Sequence, residues 1–245
     1  MELVVLGWGG GWPVAGGAAC GYLVQQDGFN LWLDAGTGTM ANLQRSIGLD
    51  DVDAVAVSHR HFDHFLDLYP FFLARWYRRD GDRPPKLPLY TPPETFEHVQ
   101  QLEEDLAETF ESHVVEPGDG FQAGPFRIDT APMRHPVPTL GMRIQANGSV
   151  LAYSADTGPT DELVRLASGA GVLLCEATFL DPGEGSPDYH LAAAEAGEHA
   201  ARAGAGRLIL THVWPTHDRD AVLEKARSAY PGPALLATEG LRVTL

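Results

Sequence analysis

The sequence is poor in cysteine, in positive charge and in long apolar runs, and each shortage argues against a class of protein. Only Cys20 and Cys175 occur in 245 residues, too few for the disulfide framework of a small secreted scaffold. Cys175 ends the apolar run Val172-Leu173-Leu174, where a thiol behaves as a small hydrophobe. Both cysteines read as structural, in a reducing compartment. Lys and Arg total 17 against 33 Asp and Glu, a formal charge of −16. Binding to long nucleic acid draws on a Lys/Arg surface that releases counterions from phosphates, so a polyanion-binding face is not expected. A small anionic substrate stays compatible, because a metal centre supplies local positive charge that the overall count hides. No apolar run is long enough to span a bilayer. Met1-Glu2-Leu3-Val4-Val5-Leu6-Gly7 also lacks the basic and apolar regions of a secretion signal. The expectation is a cytoplasmic protein with no membrane partner.

What remains is a composition 44% hydrophobic and 20% charged without low-complexity tracts, which describes a globular chain. The length fits one large α/β domain over 1–245 as readily as two small ones, and the absence of a convincing linker favours one. Short β-like runs fill the first third: Leu3 to Leu6, Gly21 to Gln25, Asn30 to Leu33 and Ala54 to Ser58, parted by Gly-rich or Asp-rich turns. Leu66 to Arg79 reads as a helix stopped by a Gly81 to Pro85 loop, and Leu87 to Tyr90 as a strand. From Pro93 to about Glu111, Phe96, Val99, Leu102, Leu106 and Phe110 recur at helical spacing, which predicts another helix. Phe126 to Ala131, Met142 to Ile144 and Ser149 to Ser154 restore the strand pattern, with Asn147-Gly148 as a hairpin signal. Helices Thr160 to Ala167, Leu191 to Ala203 and Arg219 to Ala229 then alternate with strands Val172 to Cys175 and Leu208 to Thr211, an α/β order.

His59-Arg60-His61-Phe62-Asp63-His64 directly follows the apolar Val55-Ala56-Val57. Imidazole and carboxylate together suit zinc. A solvated polar turn accounts for one His and one Asp, not for three His in six residues. Further candidates stand at strand ends: His135 after Thr130-Ala131-Pro132, Asp156 after Leu151-Ala152-Tyr153-Ser154, and His212 after Leu208-Ile209-Leu210-Thr211. Taken singly, each is as readily a turn or core hydrogen-bonder. Several strand ends can nevertheless converge on one edge of a sandwich, where the scaffold is rigid and loops admit substrate.

These residues in this order resemble the metallo-β-lactamase superfamily over nearly the whole chain. The resemblance implies an αββα sandwich, two mixed β-sheets flanked by helices. It also implies two divalent metal ions per chain, zinc foremost with manganese or iron as the other candidates. By that resemblance His59, His61 and His135 hold the first ion, Asp63, His64 and His212 the second, and Asp156 bridges them. His61, where Glu would stand in the redox di-iron branch, points to hydrolysis. Leu173-Leu174-Cys175-Glu176-Ala177-Thr178-Phe179 and His190-Leu191-Ala192-Ala193-Ala194-Glu195-Ala196-Gly197 further resemble the ribonuclease Z-like phosphodiesterase branch. Carried over, His190 contacts the scissile phosphate or protonates the leaving oxygen and Glu176 orients it; otherwise Glu176 caps a helix and His190 lies on the surface.

Three departures narrow the substrate. Only a short hairpin separates His135 from Asp156, where the tRNA 3′-end endonucleases carry a substrate-gripping arm. Leu191 stands where that branch has Ser or Thr, and Val213-Trp214-Pro215 replaces a Ser and Arg motif. The expected reaction is therefore in-line attack of a metal-bound hydroxide on a small phosphodiester such as a cyclic nucleotide, with Asp63 accepting the water's proton. The same centre acting on a lactone, thioester or other carboxylic ester is the chief alternative, ahead of a tRNA endonuclease or a non-catalytic metal module. A homodimer is left open.

Other features carry less. Gly7-Trp8-Gly9-Gly10-Gly11 lacks the spacing of a dinucleotide loop or P-loop and reads as a tight turn near the site. Trp8, Trp12, Trp76 and Tyr77 can stack a nucleobase, although such aromatics are more often core. Asp34-Ala35-Gly36-Thr37-Gly38 and Asp156-Thr157-Gly158 are loosely similar to the paired Asp-Thr/Ser-Gly loops of aspartic proteases, but that reading leaves the His cluster unexplained. Asp34 fits better as an outer partner of the metal site. His98, His113, His199 and His217 read as surface residues.

Overall fold

The computed structural model describes residues 1–77, 84–103, 105–185 and 188–245. Two mixed seven-stranded sheets pack face to face. In the first, β1 (Glu2–Gly7), β2 (Gly21–Gln26) and β3 (Phe29–Ala35) form an antiparallel meander. It continues as the parallel strands β4 (Ala54–Ala56), β5 (Leu87–Thr91) and β6 (Phe110–Val114). β7 (Gly120–Ala123), β8 (Phe126–Pro132), β9 (Leu140–Ala146) and β10 (Ser149–Tyr153) open the second sheet as antiparallel neighbours. The parallel strands β11 (Val172–Glu176), β12 (Leu208–Thr211) and β13 (Ala234–Leu236) complete it. The final strand β14 (Arg242–Thr244) returns to pair with β1.

Strand periodicity explains the layers. Successive side chains of β1 point to opposite faces: Leu3 and Val5 join the core between the sheets, while Val4 and Leu6 join a second core beneath helices. That second core contains Phe71 and Phe72 of a helix over Leu68–Trp76, packed on Trp32 and Val55 of the sheet's outer face. On the far side, helices Asp161–Leu166, Ala193–Ala203 and Arg219–Ala229 cover the second sheet with small residues such as Ala193, Ala196 and Ala200. The result is the four-layer α/β sandwich expected.

Several element boundaries differ from the sequence reading. The helix expected over 93–111 is two short ones, Thr95–Gln100 and Leu106–Thr109, and Phe110 begins a strand. Parallel pairing with β5, Leu87 opposite Phe110 through Thr91 opposite Val114, overrides the local helical spacing, because ladder hydrogen bonds with a distant segment are invisible to periodicity. The helix expected from Leu66 begins at Leu68 and ends at Trp76; Arg78, Arg79 and most of the Gly81 to Pro85 loop lie outside the described residues. His199, read as a surface residue, is buried, its Nδ1 2.7 Å from the Glu195 carbonyl and its Nε2 accepting from Thr160 N. Among the described residues no helix is long and apolar enough to cross a membrane.

Candidate metal centre and active site

Parallel strands bring their C-terminal ends to one edge, where ligands of α/β proteins gather. Ser58 and His59 follow β4, His135 follows β8, Asp156 follows β10, Glu176 ends β11, and His212 follows β12. Non-glycine residues take up left-handed backbone at two of these ends, Ala155 (φ 51°) and His212 (φ 49°), and at the end of β3, Asp34 (φ 54°), a sparsely populated conformation that clusters at functional sites.

The turn after β4 is pinned from β3. Asp34 is wholly buried; its Oδ1 accepts from Ser58 N (2.6 Å) and its Oδ2 from the Ser58 hydroxyl (2.8 Å) and the Tyr153 hydroxyl (2.6 Å). Gly36 lets β3 approach the turn closely, since a Cβ there would lie 2.0 Å from the Asp63 carbonyl oxygen. A short helix over Phe62–Phe65, preceded by His61 in extended backbone, then carries Asp63 and His64 inward.

Two groups of ligand atoms result. His59 Nε2 and His135 Nε2 each lie 3.0 Å from His61 Nδ1, and Asp156 Oδ2 is 3.6 Å from the first and 3.9 Å from the second. In the second group, His64 Nε2 is 3.4 Å from Asp63 Oδ2 and 3.3 Å from Asp156 Oδ1. His212 Nε2 is 3.2 Å from Asp63 Oδ2 and 3.3 Å from Asp156 Oδ2. Asp156 stands between the groups. Cys20 Sγ also lies within 4.8 Å of ligand atoms of His64 and His212, although the thiol, wholly buried, is held protonated by that burial and contacts the Gly9 carbonyl.

The donors fit divalent ions. Around a tetrahedral zinc with bonds of about 2.0–2.1 Å, ligand atoms stand roughly 3.3–3.4 Å apart, the middle of the spread found here. His64 Nε2 and Asp156 Oδ1 are buried with no hydrogen-bond partner, a costly arrangement that a cation between them relieves. Burial, reinforced by the neighbouring imidazoles, holds His59 well below the ordinary histidine range and pushes His61 down to about 4. Burial opposes ionisation of Asp63 and Asp156, but the surrounding histidines outweigh it and hold both carboxyls well below their usual range. Neutral imidazoles and ionised carboxylates are the protonation states a metal requires. His64 is the exception, because burial opposes its charged form but Asp156, Asp63 and Asp34 outweigh it and hold the ring well above the ordinary histidine range, so an ion bound there displaces its Nε2 proton.

Outer partners orient four of the rings. His59 Nδ1 lies 3.0 Å from the Ser58 hydroxyl, His64 Nδ1 2.8 Å from Asp34 Oδ2, His135 Nδ1 3.1 Å from the Tyr189 carbonyl, and His212 Nδ1 2.7 Å from the Thr178 hydroxyl. A proton on each Nδ1 leaves the Nε2 lone pair facing inward. Asp34 is thus an outer partner, as expected. The protease reading fails on geometry, because the His64 ring stands between Asp34 and Asp156 and the two carboxyls share no proton.

Glu176 is wholly buried and accepts from Thr157 N (2.5 Å), the Thr178 hydroxyl (2.5 Å) and Leu191 N (3.1 Å). Its Oε1 lies 3.1 Å from His190 Nδ1. The His190 ring stacks on His212 with centroids 5.5 Å apart, and its nitrogen lies within 4.8 Å of Asp156 and His212 donor atoms. Burial works against the charged ring, but Glu176 outweighs it and carries His190 up to about 9. Glu176 is neither a helix cap nor His190 an outward-facing residue.

Sequence reasoning overlooked Ser58, Tyr153 and Thr178. Thr178 had a signal: two residues beyond Glu176 at a strand end, it faces the same side. The glycine run was placed near the site without a role. Gly11 N donates to Asp63 Oδ2 (2.7 Å), and Gly10 approaches His212 so closely that a Cβ would meet its Nδ1 at 2.8 Å. Trp8 lies in the core under the Arg219 guanidinium, and Trp76 packs on Phe72 in the helix layer.

Comparison with known proteins agrees with this fold. Residues 29–213 match the Beta-lactamase superfamily domain. The chain is 31% identical to the probable metallo-hydrolase YhfI of Bacillus subtilis over 98% of both chains. The crystal structure of that protein superposes with a TM-score of 0.90, covering 99% of this chain and 98% of the other at 30% identity. A ribonuclease Z of Mycolicibacterium gilvum is 32% identical, covering 88% of this chain and 85% of its own. The short form of human tRNase Z, at 19% identity and TM-score 0.80 with 100% and 99% coverage, shares the fold. The chain therefore belongs to the beta-lactamase superfamily, as one of its ribonuclease Z-like metallo-hydrolases.

Proposed function

We propose that this metallo-hydrolase is a phosphodiesterase with two divalent ions, zinc foremost, acting on a small phosphodiester such as a cyclic nucleotide. The observation that carries the reading is the Glu176–His190 pair, a proton donor with its own buried carboxylate, beside both ligand groups. The ribonuclease Z relative supports the phosphodiester class. The ions would sit on His59, His61 and His135 and on Asp63, His64 and His212, shared by Asp156, and when bound they polarise the phosphoryl group and acidify an attacking water.

The chain's residues handle the protons. Asp63, ionised and tied by Gly11 N, takes the proton of the attacking water as its oxygen bonds to phosphorus. The ester bond on the opposite side breaks, and His190 gives its proton to the departing oxygen. Glu176 holds His190 in the orientation and charge state this needs. A small substrate suits the tight β9–β10 hairpin, whose strands pair from Ser149 opposite Ala146, and the net charge of −16. Cyclic nucleotides, bis-nitrophenyl phosphate and lactones assayed side by side test the reading. Lactone turnover without phosphodiester turnover overturns it.

A further inference from the structure

Beyond the reacting centre, a continuous run of rings leads from the proton donor to the surface. The His190 ring meets Phe179 edge-on (centroids 5.8 Å apart), Phe179 meets Trp214 (6.2 Å), and Trp214 meets Trp12 edge-on (4.8 Å, interplanar angle 78°). Exposure separates Trp12 from the structural tryptophans: it is 42% exposed, whereas Trp32 is 0% and Trp8 8% exposed. Its position is also fixed. The preceding residues are tied to the centre through Gly11 N on Asp63 Oδ2 and to the strand end after His212 through Gly10 N on the Val213 carbonyl (3.1 Å). Gly11 adopts φ 77°, and a Cβ there would press on the Trp214 ring at 3.1 Å, so the glycines let this loop lie against the second tryptophan.

The part of Trp12 left in water, 42% of its surface, gains nothing for folding, because hydrophobic stabilisation follows burial. An edge-to-face pair leaves a re-entrant corner where a planar group can stack on one ring with its edge towards the other, and aromatic faces accept any base. We propose that Trp12 and Trp214 form a stacking subsite for the nucleobase of the substrate, held beside the Glu176–His190 pair by the Gly9-Gly10-Gly11 loop. The inference deepens the phosphodiesterase reading and rests on it for the class of substrate.

The test uses adenosine, which has a base and no phosphate, and two cyclic phosphodiesters that differ only in the base: cyclic AMP and methyl riboside 3′,5′-cyclic phosphate. Calorimetric titration of the full, metal-loaded chain with adenosine should show binding that weakens about ten-fold in Trp12→Ala and stays within about three-fold in Trp12→Phe, which keeps an aromatic face. The kcat/KM preference for cyclic AMP over the base-free ester should fall about ten-fold in Trp12→Ala. Unchanged adenosine binding in Trp12→Ala, or an equal loss on both esters, overturns the subsite. Adenosine binding that depends on Trp12 in a protein without phosphodiester turnover upholds the subsite while refuting the proposed reaction.

Discussion

At the residue scale, Thr178 shows how one hydroxyl can serve two functions. It donates its proton to Glu176 and accepts from His212 Nδ1, so it fixes both the carboxylate paired with His190 and the tautomer of a proposed metal ligand. Thr178→Val keeps the shape and removes the hydroxyl; affinity for zinc at the proposed His212 site should fall about 10–100-fold, read by competition with a chromophoric chelator. Unchanged affinity would show that the His212 ring is held by packing alone. His190→Ala should separate chemistry from metal binding. Its kcat on phosphodiesters drops by about 10²–10⁴ while the metal content by elemental analysis stays at the wild-type value, and loss of metal together with rate would instead make His190 a ligand.

At the scale of elements, the site depends on how closely β3 and the ligand turn approach. Gly36→Ala places a Cβ against the backbone of Asp63, which cannot rotate away. It should cost about 1–3 kcal/mol or more in unfolding free energy and weaken metal binding with it. Gly171→Ala, whose Cβ would find only the Val150 carbonyl at 3.5 Å, is the control and should stay within about 1 kcal/mol; equal effects in chemical denaturation would refute the close-approach argument. Elements differ in legibility for a physical reason. The hairpin at Asn147-Gly148 and the helix over Arg219–Ala229, capped by Asp218 through Asp220 N (3.0 Å), carry their own turn and capping chemistry. Residues 93–114 do not: Phe110 belongs to a strand because β5 lies beside it, and the edge strands β7, β13 and β14 are short pieces recognisable only through their partners.

For the whole molecule, the proposed metal centre joins both sheets: its candidate ligands after β4 come from the first, and His135, Asp156 and His212 from the second. Metal binding should therefore stabilise the entire fold by mass action, about 4 kcal/mol at a thousand-fold excess of free ion over Kd. Dialysis against a chelator should lower the single thermal transition and abolish activity, with both restored by zinc; an unchanged Tm would place the ions outside the folding equilibrium. By itself the sequence determined the run His59 to His64, the strand-then-ligand pattern at His135, Asp156 and His212, and the layered α/β class. All of these follow from local periodicity and from residue types whose chemistry does not depend on neighbours. Only the tertiary structure decided which nitrogen of each histidine faces inward, that Asp34 supports His64 rather than pairing with Asp156, and that Trp12 stands exposed beside the site while Trp8 is buried. Those outcomes are set by partners tens to more than a hundred residues away, such as Tyr153 on Asp34, and contacts of that kind exist only once the two sheets have packed.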